Sequence, residues 1–172
     1  MEELIKQAKF GNEDAFIELI DSIKIDLYKI ARTRLTVIDD IDDAIQETMI
    51  EAFNSLKMLR NEKLFKKWII KILINKCNKI YKKRKNNISY EDLEAEKFIG
   101  DNSTEYVISN LEFDNMLRLL NYDEKIAVVL YYLEDYTTKD IAKILKTSEN
   151  TIKSRLRRAK IKMKENYERE GK

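Results

Sequence analysis

Proline is absent from this sequence, and glycine occurs only three times in 172 residues. Because both residues interrupt regular secondary structure, their scarcity leaves few positions at which a helix must end. Apolar residues recur at helical spacing along most of the chain, which is typical of amphipathic helices. The sequence therefore predicts an all-α protein.

Histidine is also absent, and cysteine occurs once, as Cys77. The lack of histidine removes the commonest general base and metal ligand from the chain. A single cysteine excludes an intrachain disulfide and fits a reducing compartment. Since Cys77 lies among Ile72, Leu73 and Ile80, we expect a buried structural thiol rather than a nucleophile.

No apolar run approaches the roughly 20 residues that a membrane-spanning helix needs. Residues 1–16 lack the basic start and the continuous apolar core of a secretory signal. With 37% charged and 44% hydrophobic residues, the composition is that of a folded globular protein. We therefore predict a cytoplasmic location.

Charge is unevenly distributed along the chain, although the formal net charge is only +2. Residues 65–85 contain nine bases and no acid, whereas residues 39–51 contain six carboxylates and no base. Residues 88–114 contain eight acids and a single base, Lys97. Such segregation indicates faces with different partners, two of which we expect to be polyanions.

Residues 137–165 have the pattern of a helix-turn-helix. Ile141, Ala142 and Leu145 form an apolar stripe that suits a short first helix, and Ser148 is a good N-cap for the second. The second helix repeats four apolar residues on one face: Ile152, Leu156, Ala159 and Met163. Its other face carries one serine and seven bases: Lys153, Ser154, Arg155, Arg157, Arg158, Lys160, Lys162 and Lys164.

That second helix is strongly basic, because residues 146–164 contain eight bases and one acid, Glu149. A helix that is buried on one side and basic on the other is typical of an element that enters the DNA major groove. A solvated lysine-rich helix is the alternative, and it accounts for most basic runs. The short helix and turn that precede it favour DNA contact.

The basic segment 65–85 differs, because its bases alternate with aromatic and amide side chains such as Trp68, Asn75 and Tyr81. Basic charge attracts phosphates regardless of sequence, and aromatic rings stack on the unpaired bases of a single strand. Packing within the protein is the alternative for the two aromatic rings. In the preceding loop, residues 56–64, we expect five exposed side chains that are candidates for binding a base: Lys57, Met58, Leu59, Arg60 and Asn61.

The periodicity divides the chain into two small helical domains joined by a linker. In residues 1–86 we predict three helices, the first capped by Asn12 and running to Ala31. Residues 87–110 lose the helical period and turn acidic, which indicates a linker. Residues 111–172 are predicted to form a four-helix domain that ends in the helix-turn-helix.

These two modules, in this order, resemble the bacterial RNA polymerase sigma factors of the extracytoplasmic-function type. Residues 40–53 are similar to the region two segment of that family, with Asp43, Gln46 and Glu47 in register. The downstream helix of region two matches at three positions: Trp68, Ile72 and Asn75. The resemblance covers nearly the whole chain.

Residues 120–163 are similar to region four of the same family. Asp140, Ile141 and Ala142 match its acidic-Ile-Ala signature. Its recognition-helix signature matches at eight positions: Thr151, Ile152, Lys153, Ser154, Arg155, Leu156, Arg158 and Ala159. The chain departs from the family pattern at four positions, where Asn121 replaces a proline, Lys146 and Asn150 replace glycines, and Thr147 replaces an apolar residue. If the turn needs a positive φ, Lys146 costs about 1 kcal/mol relative to glycine.

The resemblance implies three binding surfaces. The surface for the β′ clamp helices of core RNA polymerase would contain Asp43, Gln46 and Glu47. The surface for the −10 promoter element would contain Lys57, Arg60, Asn61, Asn75, Lys79 and Lys83. The surface for the −35 element would contain Asn150, Thr151, Lys153, Ser154, Arg155, Arg157 and Arg158.

The resemblance also implies the function. A sigma factor binds core polymerase, including the β flap, and directs promoter-specific initiation by recognising the −35 element and by recognising and melting the −10 element. It has no catalysis of its own, and we expect no cofactor, metal or small-molecule substrate. A metal site in the acidic run at residues 39–43 is disfavoured, because such runs are usually hydrated surface. Family analogy further implies a membrane-bound anti-sigma factor and an envelope-stress response.

Two other functions remain as alternatives. A two-domain helix-turn-helix regulator would act without core polymerase, normally as a dimer on a palindrome. A sigma factor of the toxin-gene type would share the fold and differ in its target genes. A nuclease or recombinase is disfavoured, because histidine is absent and the candidate carboxylates lie in helical or linker sequence.

Overall fold

The structure, a computed structural model, describes residues 1–87 and 117–170 of the chain. All the secondary structure in these two ranges is helical, so the all-α prediction is confirmed. The chain divides into two compact units, Met1–Asp101 and Asn102–Lys172. Most of the predicted linker lies outside the described residues, and the proposed limits of the two domains stay predictions.

The first unit contains five α-helices within residues 1–87. They are α1 (Glu2–Lys9), α2 (Glu13–Asp21), α3 (Lys24–Arg32), α4 (Ile38–Ser55) and α5 (Phe65–Asn87). Helices α4 and α5 pack along each other, and α3 packs against both. Buried side chains on all five helices, among them Leu27, Ile41 and Leu73, form the core. This packing holds the acidic helix α4 beside the basic helix α5.

The predicted first helix is in fact two helices, so the expectation of one continuous helix from Asn12 to Ala31 was wrong. Helix α2 ends at Asp21, and the Ser22 hydroxyl donates a 2.7 Å hydrogen bond to the Leu19 carbonyl oxygen. Such side-chain bonds compete with the helical backbone pattern. Ile23 lies at the break and is buried. The apolar pattern of the sequence therefore continues across the break, which is why the sequence did not reveal it.

The start of α2 agrees with the sequence. The Asn12 side chain accepts a 3.0 Å hydrogen bond from the Ala15 amide, so the predicted N-cap is confirmed. Gly11 precedes it with φ +95°, a conformation that L side chains rarely adopt. This residue reverses the chain between α1, which the sequence analysis did not predict, and α2.

The second unit contains three described helices: α6 (Tyr122–Val128), α7 (Thr138–Ile144) and α8 (Glu149–Glu170). Helix α6 continues into one wider π-helical turn, Val129–Leu133. Leu120, Val128 and Ala159 form a buried cluster, against which Leu156 and Met163 pack. Helix α8 therefore buries the apolar face that its sequence predicted, and it packs against both α6 and α7.

Candidate nucleic-acid interface

The helix-turn-helix prediction is confirmed in its local geometry. The Thr137 and Ser148 hydroxyls cap α7 and α8, since Thr137 accepts from the Asp140 amide at 3.2 Å and Ser148 from the Thr151 amide at 3.0 Å. Lys146 adopts φ +52°, the left-handed conformation that favours glycine, so the condition raised for this turn is met. The turn therefore keeps its shape without glycine.

Helix α8 presents its basic residues in two different environments. Five of the seven residues predicted to bind the −35 element are exposed: Asn150, Lys153, Ser154, Arg157 and Arg158. The side chain of Arg155 is only 16% exposed, and its Nη2 lies 2.8 Å from Asp123 Oδ2 on α6. The Thr151 hydroxyl lies 2.8 Å from the Ser148 hydroxyl. Arg155 therefore holds α8 to α6, and Thr151 takes part in the N-cap of α8.

A buried carboxylate that the sequence analysis missed orients α8. Glu124 is 1% exposed, and its Oε2 accepts a 2.7 Å bond from Lys162 Nζ while Arg158 Nε lies 3.6 Å from Oε1. Glu124 and Asn121 also form a reciprocal capping box at the start of α6. Asn121, which replaces the usual proline, therefore supplies both an N-cap and a partner for Glu124.

The environment of Glu124 acts on its pKa in opposing directions. Burial favours the neutral acid, but the hydrogen bonds from Lys162 and from the Asn121 amide, with the nearby Arg158 charge, lower the pKa below the ordinary 4.5. The carboxylate is therefore ionised at neutral pH. It pairs with Arg158 and Lys162, and these pairs hold α8 in one orientation against α6.

Helix α5 displays three of the residues predicted to bind the −10 element. Asn75, Lys79 and Lys83 are all exposed, and their spacing of four places them along one side of the helix. The aromatic candidates pack on the protein instead. Trp68 is half-buried with its ring 5.9 Å from that of Phe65, and the Arg34 guanidinium lies 3.6 Å above the Tyr81 ring. One face of Tyr81 is thus covered.

The loop between α4 and α5 contains two short 3-10 turns, Leu56–Met58 and Glu62–Leu64. Lys57 and Arg60 are exposed, as is Asn61, whose side-chain oxygen accepts a 3.0 Å bond from the Lys63 amide. The expectation that Leu59 is exposed was wrong, because its side chain is buried. Leu59 anchors the loop and leaves Lys57, Arg60 and Asn61 outside.

The acidic helix α4 is joined to α5 by ion pairs. Lys76 Nζ lies 3.3 Å from Glu47 and 2.7 Å from Glu51, and Arg84 lies 2.7 Å from Asp40. Glu47 thus has a partner within its own unit. Because the partners are more than twenty residues apart, helical spacing within α4 did not reveal them.

The rest of the predicted polymerase-binding face is open. Asp43 and Gln46 are exposed. The next turn of α4 adds Ile50, which is 62% exposed, and Phe53 is also exposed. An apolar residue beside exposed polar ones is typical of a protein interface, and the sequence analysis overlooked it because Ile50 reads as an ordinary core position.

Residues 1–87 and 117–170 show neither a metal-binding cluster nor a membrane-spanning helix. In that part of the chain, no group of three or more acidic or thiol side chains is placed to hold a metal ion. None of the helices there is long and apolar enough to cross a membrane.

The family models for Sigma-70 region 2 and Sigma-70, region 4, match residues 19–99 and 110–163 respectively. RNA polymerase sigma factor SigV of Bacillus subtilis is 29% identical over 143 residues, covering 83% of this chain and 85% of SigV. The ECF RNA polymerase sigma factor SigM of Mycobacterium tuberculosis is 26% identical over 161 residues, covering 94% of this chain and 81% of SigM.

A solved structure shares the fold. It is the sigma factor RpoE from Bartonella quintana in complex with the anti-sigma factor NepR, with a TM-score of 0.71 and 24% identity, covering 87% of this chain and 94% of RpoE. The two family models match the two units in the order that the sequence predicted. The chain belongs to the sigma-70 family of bacterial RNA polymerase sigma factors, as a member of the extracytoplasmic-function type.

Proposed function

We propose that this chain binds core RNA polymerase and that its two units divide the promoter between them. The second unit docks on the −35 element as duplex, and the first unit recognises and melts the −10 element. The observation that carries this division is one exposed basic surface in each unit, on α8 and on α5 with its preceding loop. Among the residues that the structure describes, only those of the first unit combine a basic surface with an acidic helix.

For the −35 element, we assign base and phosphate contacts to the five exposed residues Asn150, Lys153, Ser154, Arg157 and Arg158. An arginine that pairs with both acceptors of a guanine contributes about 1–3 kcal/mol of discrimination. Arg155 and Thr151 act differently in this proposal. Arg155 holds α8 against α6 through Asp123 and so orients it for the groove, and Thr151 stabilises the N-cap of α8 through Ser148.

For the −10 element, we propose that the loop holds a flipped base of the non-template strand through Lys57, Arg60 and Asn61. Flipping a base costs a few kcal/mol of unstacking. Contacts that only the open strand makes offset this and trap the melted state. Asn75, Lys79 and Lys83 follow the adjoining strand along α5, and the charges of the two lysines favour phosphates.

For core polymerase, we propose that Asp43, Gln46 and Glu47 bind the β′ clamp helices, with Ile50 as an apolar neighbour. Charge complementarity requires a cationic partner surface. A second contact between the second unit and the β flap completes the complex. The family consists of initiation factors, and we propose that this member has no catalytic activity and works in the cytoplasm with the polymerase.

We further propose control by an anti-sigma factor. The related RpoE is seen with the anti-sigma factor NepR, and an inhibitor of this kind would cover surfaces that the polymerase needs. A membrane-bound inhibitor released by envelope stress is the form we propose for this chain. Control of toxin genes is the alternative physiological role for the same biochemical activity.

Run-off transcription with purified core polymerase tests the function directly. Core polymerase with this protein is incubated with a genomic library of promoter fragments, and core polymerase alone is the control. The expected result is a set of defined transcripts that depend on the added protein. If no fragment yields a defined transcript, the proposal fails.

A gel shift separates this function from that of a helix-turn-helix regulator. Duplex promoter DNA found by the run-off assay is mixed with the free protein, with core polymerase, or with both. We expect a specific complex only when both are present. Tight specific binding by the free protein alone would favour the regulator instead.

A further inference from the structure

The loop between α4 and α5 is closed by a lysine that lies outside it. Lys9 Nζ donates a 2.5 Å hydrogen bond to the Leu59 carbonyl oxygen and also pairs with Glu62 Oε1. These partners lie about fifty residues further along the chain. One ammonium group therefore joins the end of the first 3-10 turn to the start of the second.

Lys9 is itself held in place. It is the last residue of α1, a helix anchored by the buried side chains of Ile5 and Ala8 and packed against both 3-10 turns of the loop. The Lys9 side chain is 18% exposed and the Glu62 side chain 25%. A pair so sheltered is screened less by salt than an exposed pair.

The two groups that Lys9 binds flank Arg60 and Asn61. Both residues are exposed, and both belong to the proposed site for a flipped base. Leu59 holds the loop through its buried side chain, and Asn61 makes one internal bond to the Lys63 amide. Neither contact links the two turns to each other, whereas Lys9 does.

Lys9 also neutralises an acid beside a surface proposed to bind DNA. Glu62 follows Asn61 directly, and an unneutralised carboxylate there would repel the phosphates of the incoming strand. The hydrogen bond from Lys9 is the main cause that lowers the pKa of Glu62. The carboxylate thus stays ionised and remains a partner for the lysine.

We propose that Lys9 is a positioning residue for −10 recognition. It holds the loop in the shape that receives a flipped base, and it neutralises the charge of Glu62 next to the bound strand. This inference rests on the proposed function of the loop. A loop that is ordered before binding loses less conformational entropy when the base enters. Lys9 itself touches no DNA in this arrangement.

The test compares Lys9→Met with Lys6→Met in holoenzyme assembled on core polymerase. Lys6 lies on the same helix and is exposed, and it acts on Glu62 only through its charge. Fluorescence anisotropy measures binding of a labelled single-stranded oligonucleotide that carries the non-template −10 sequence found by run-off transcription. We expect Lys9→Met to weaken binding about tenfold and Lys6→Met to leave it nearly unchanged.

Two further variants separate positioning from folding. Lys9→Arg keeps a cation with several donors and should retain most of the affinity. Glu62→Gln leaves the bond from Lys9 to Leu59 and should lose less affinity than Lys9→Met. Core polymerase affinity should stay the same in all variants, because the acidic face of α4 is unchanged.

Abasic nucleotides placed along the −10 oligonucleotide supply the decisive measurement. Removing the flipped base should weaken the wild-type holoenzyme strongly and the Lys9→Met holoenzyme much less, since the two changes affect one interaction. Equal penalties in both proteins would overturn the inference, as would wild-type binding by Lys9→Met or a parallel loss of core affinity. If wild-type holoenzyme transcribes but does not bind the −10 oligonucleotide, the assignment of the loop is wrong, and the inference about Lys9 is wrong with it.

Discussion

At the scale of single residues, Lys146 shows how a turn survives the loss of glycine. Its φ of +52° is sterically unfavourable for a residue with a Cβ. The turn is held by its neighbours, because the Thr147 amide donates a 2.9 Å bond to the Ala142 carbonyl oxygen and Ser148 caps the next helix. The surrounding bonds therefore impose the strained conformation on Lys146.

Lys146→Gly should consequently stabilise the second unit by up to about 1 kcal/mol. Lys143→Gly is the matched control, because Lys143 is an exposed lysine within α7, where glycine is destabilising by about 1 kcal/mol. Hydrogen exchange of the amides of α7 and α8 measures both changes. Destabilisation by both substitutions would show that the Lys146 side chain makes a favourable contact.

Glu124 makes the stability of the second unit depend on pH. Its pKa is lowered in the folded protein, so its contribution is fully present above the ordinary value of 4.5 and is lost as the pH falls through the lowered pKa. Glu124→Gln should reduce the loss of stability below pH 4.5, whereas the exposed Glu165→Gln should not. Denaturant unfolding of the second unit at several pH values measures this effect. If Glu124→Gln leaves the pH dependence of the unfolding free energy unchanged, Glu124 is not responsible for it.

These residues differ in how far sequence could reveal them. The caps at Asn12 and Ser148 were predicted, because each depends on neighbours within a few positions. The positive φ at Lys146 was stated only as a condition, on the ground that the family pattern has glycine there. The role of Glu124 was not predicted, because its partner Lys162 lies 38 residues away. Lys9 escaped notice for the same reason, since an ion pair across a fold leaves no local pattern.

At the scale of elements, α8 combines residues with two distinct tasks. Arg157 is exposed, whereas Arg155 pairs with Asp123 on α6. The sequence alone could not separate them, since every arginine on the helix reads as the same basic residue. The break between α2 and α3 was also not predicted, because the buried Ile23 continues the helical spacing of apolar residues across it.

Arg157→Ala should weaken −35 binding by holoenzyme and reduce by about one the slope of its dependence on salt, because one phosphate or base contact is lost. Arg155→Ala should instead lower the stability of the second unit by about 0.5–1 kcal/mol, and Asp123→Ala should reproduce that loss. Duplex binding at several salt concentrations, with unfolding measured in parallel, separates the two effects. Similar effects from both arginine substitutions would contradict the division.

At the scale of the whole molecule, the two units hold their binding surfaces on separate cores. In the proposed function, the acidic helix α4 binds core polymerase and the basic helix α8 binds the −35 element. The sequence predicted this division because charge is segregated along the chain, and the family resemblance supplied the partners. A substitution in one unit should therefore leave the task of the other intact.

Gln46→Ala and Arg157→Ala should consequently fail at different steps. Gln46→Ala should weaken association with core polymerase, and transcription should recover when more of the variant is added. Arg157→Ala should bind core polymerase normally and lose −35-dependent transcription at every concentration. Pull-down with core polymerase followed by run-off titration measures both steps. Normal core binding by Gln46→Ala would refute the assignment of the α4 face.

The buried position of Cys77 has a practical consequence for studying this protein. It is the only cysteine in the chain, and burial raises the pKa of its thiol to about 12, so almost no thiolate is present to attack a thiol reagent. A cysteine introduced at exposed Met58 would thus be the single reactive handle. The signal of a fluorophore attached there would report on the loop during promoter opening, and Cys77 would not have to be replaced first.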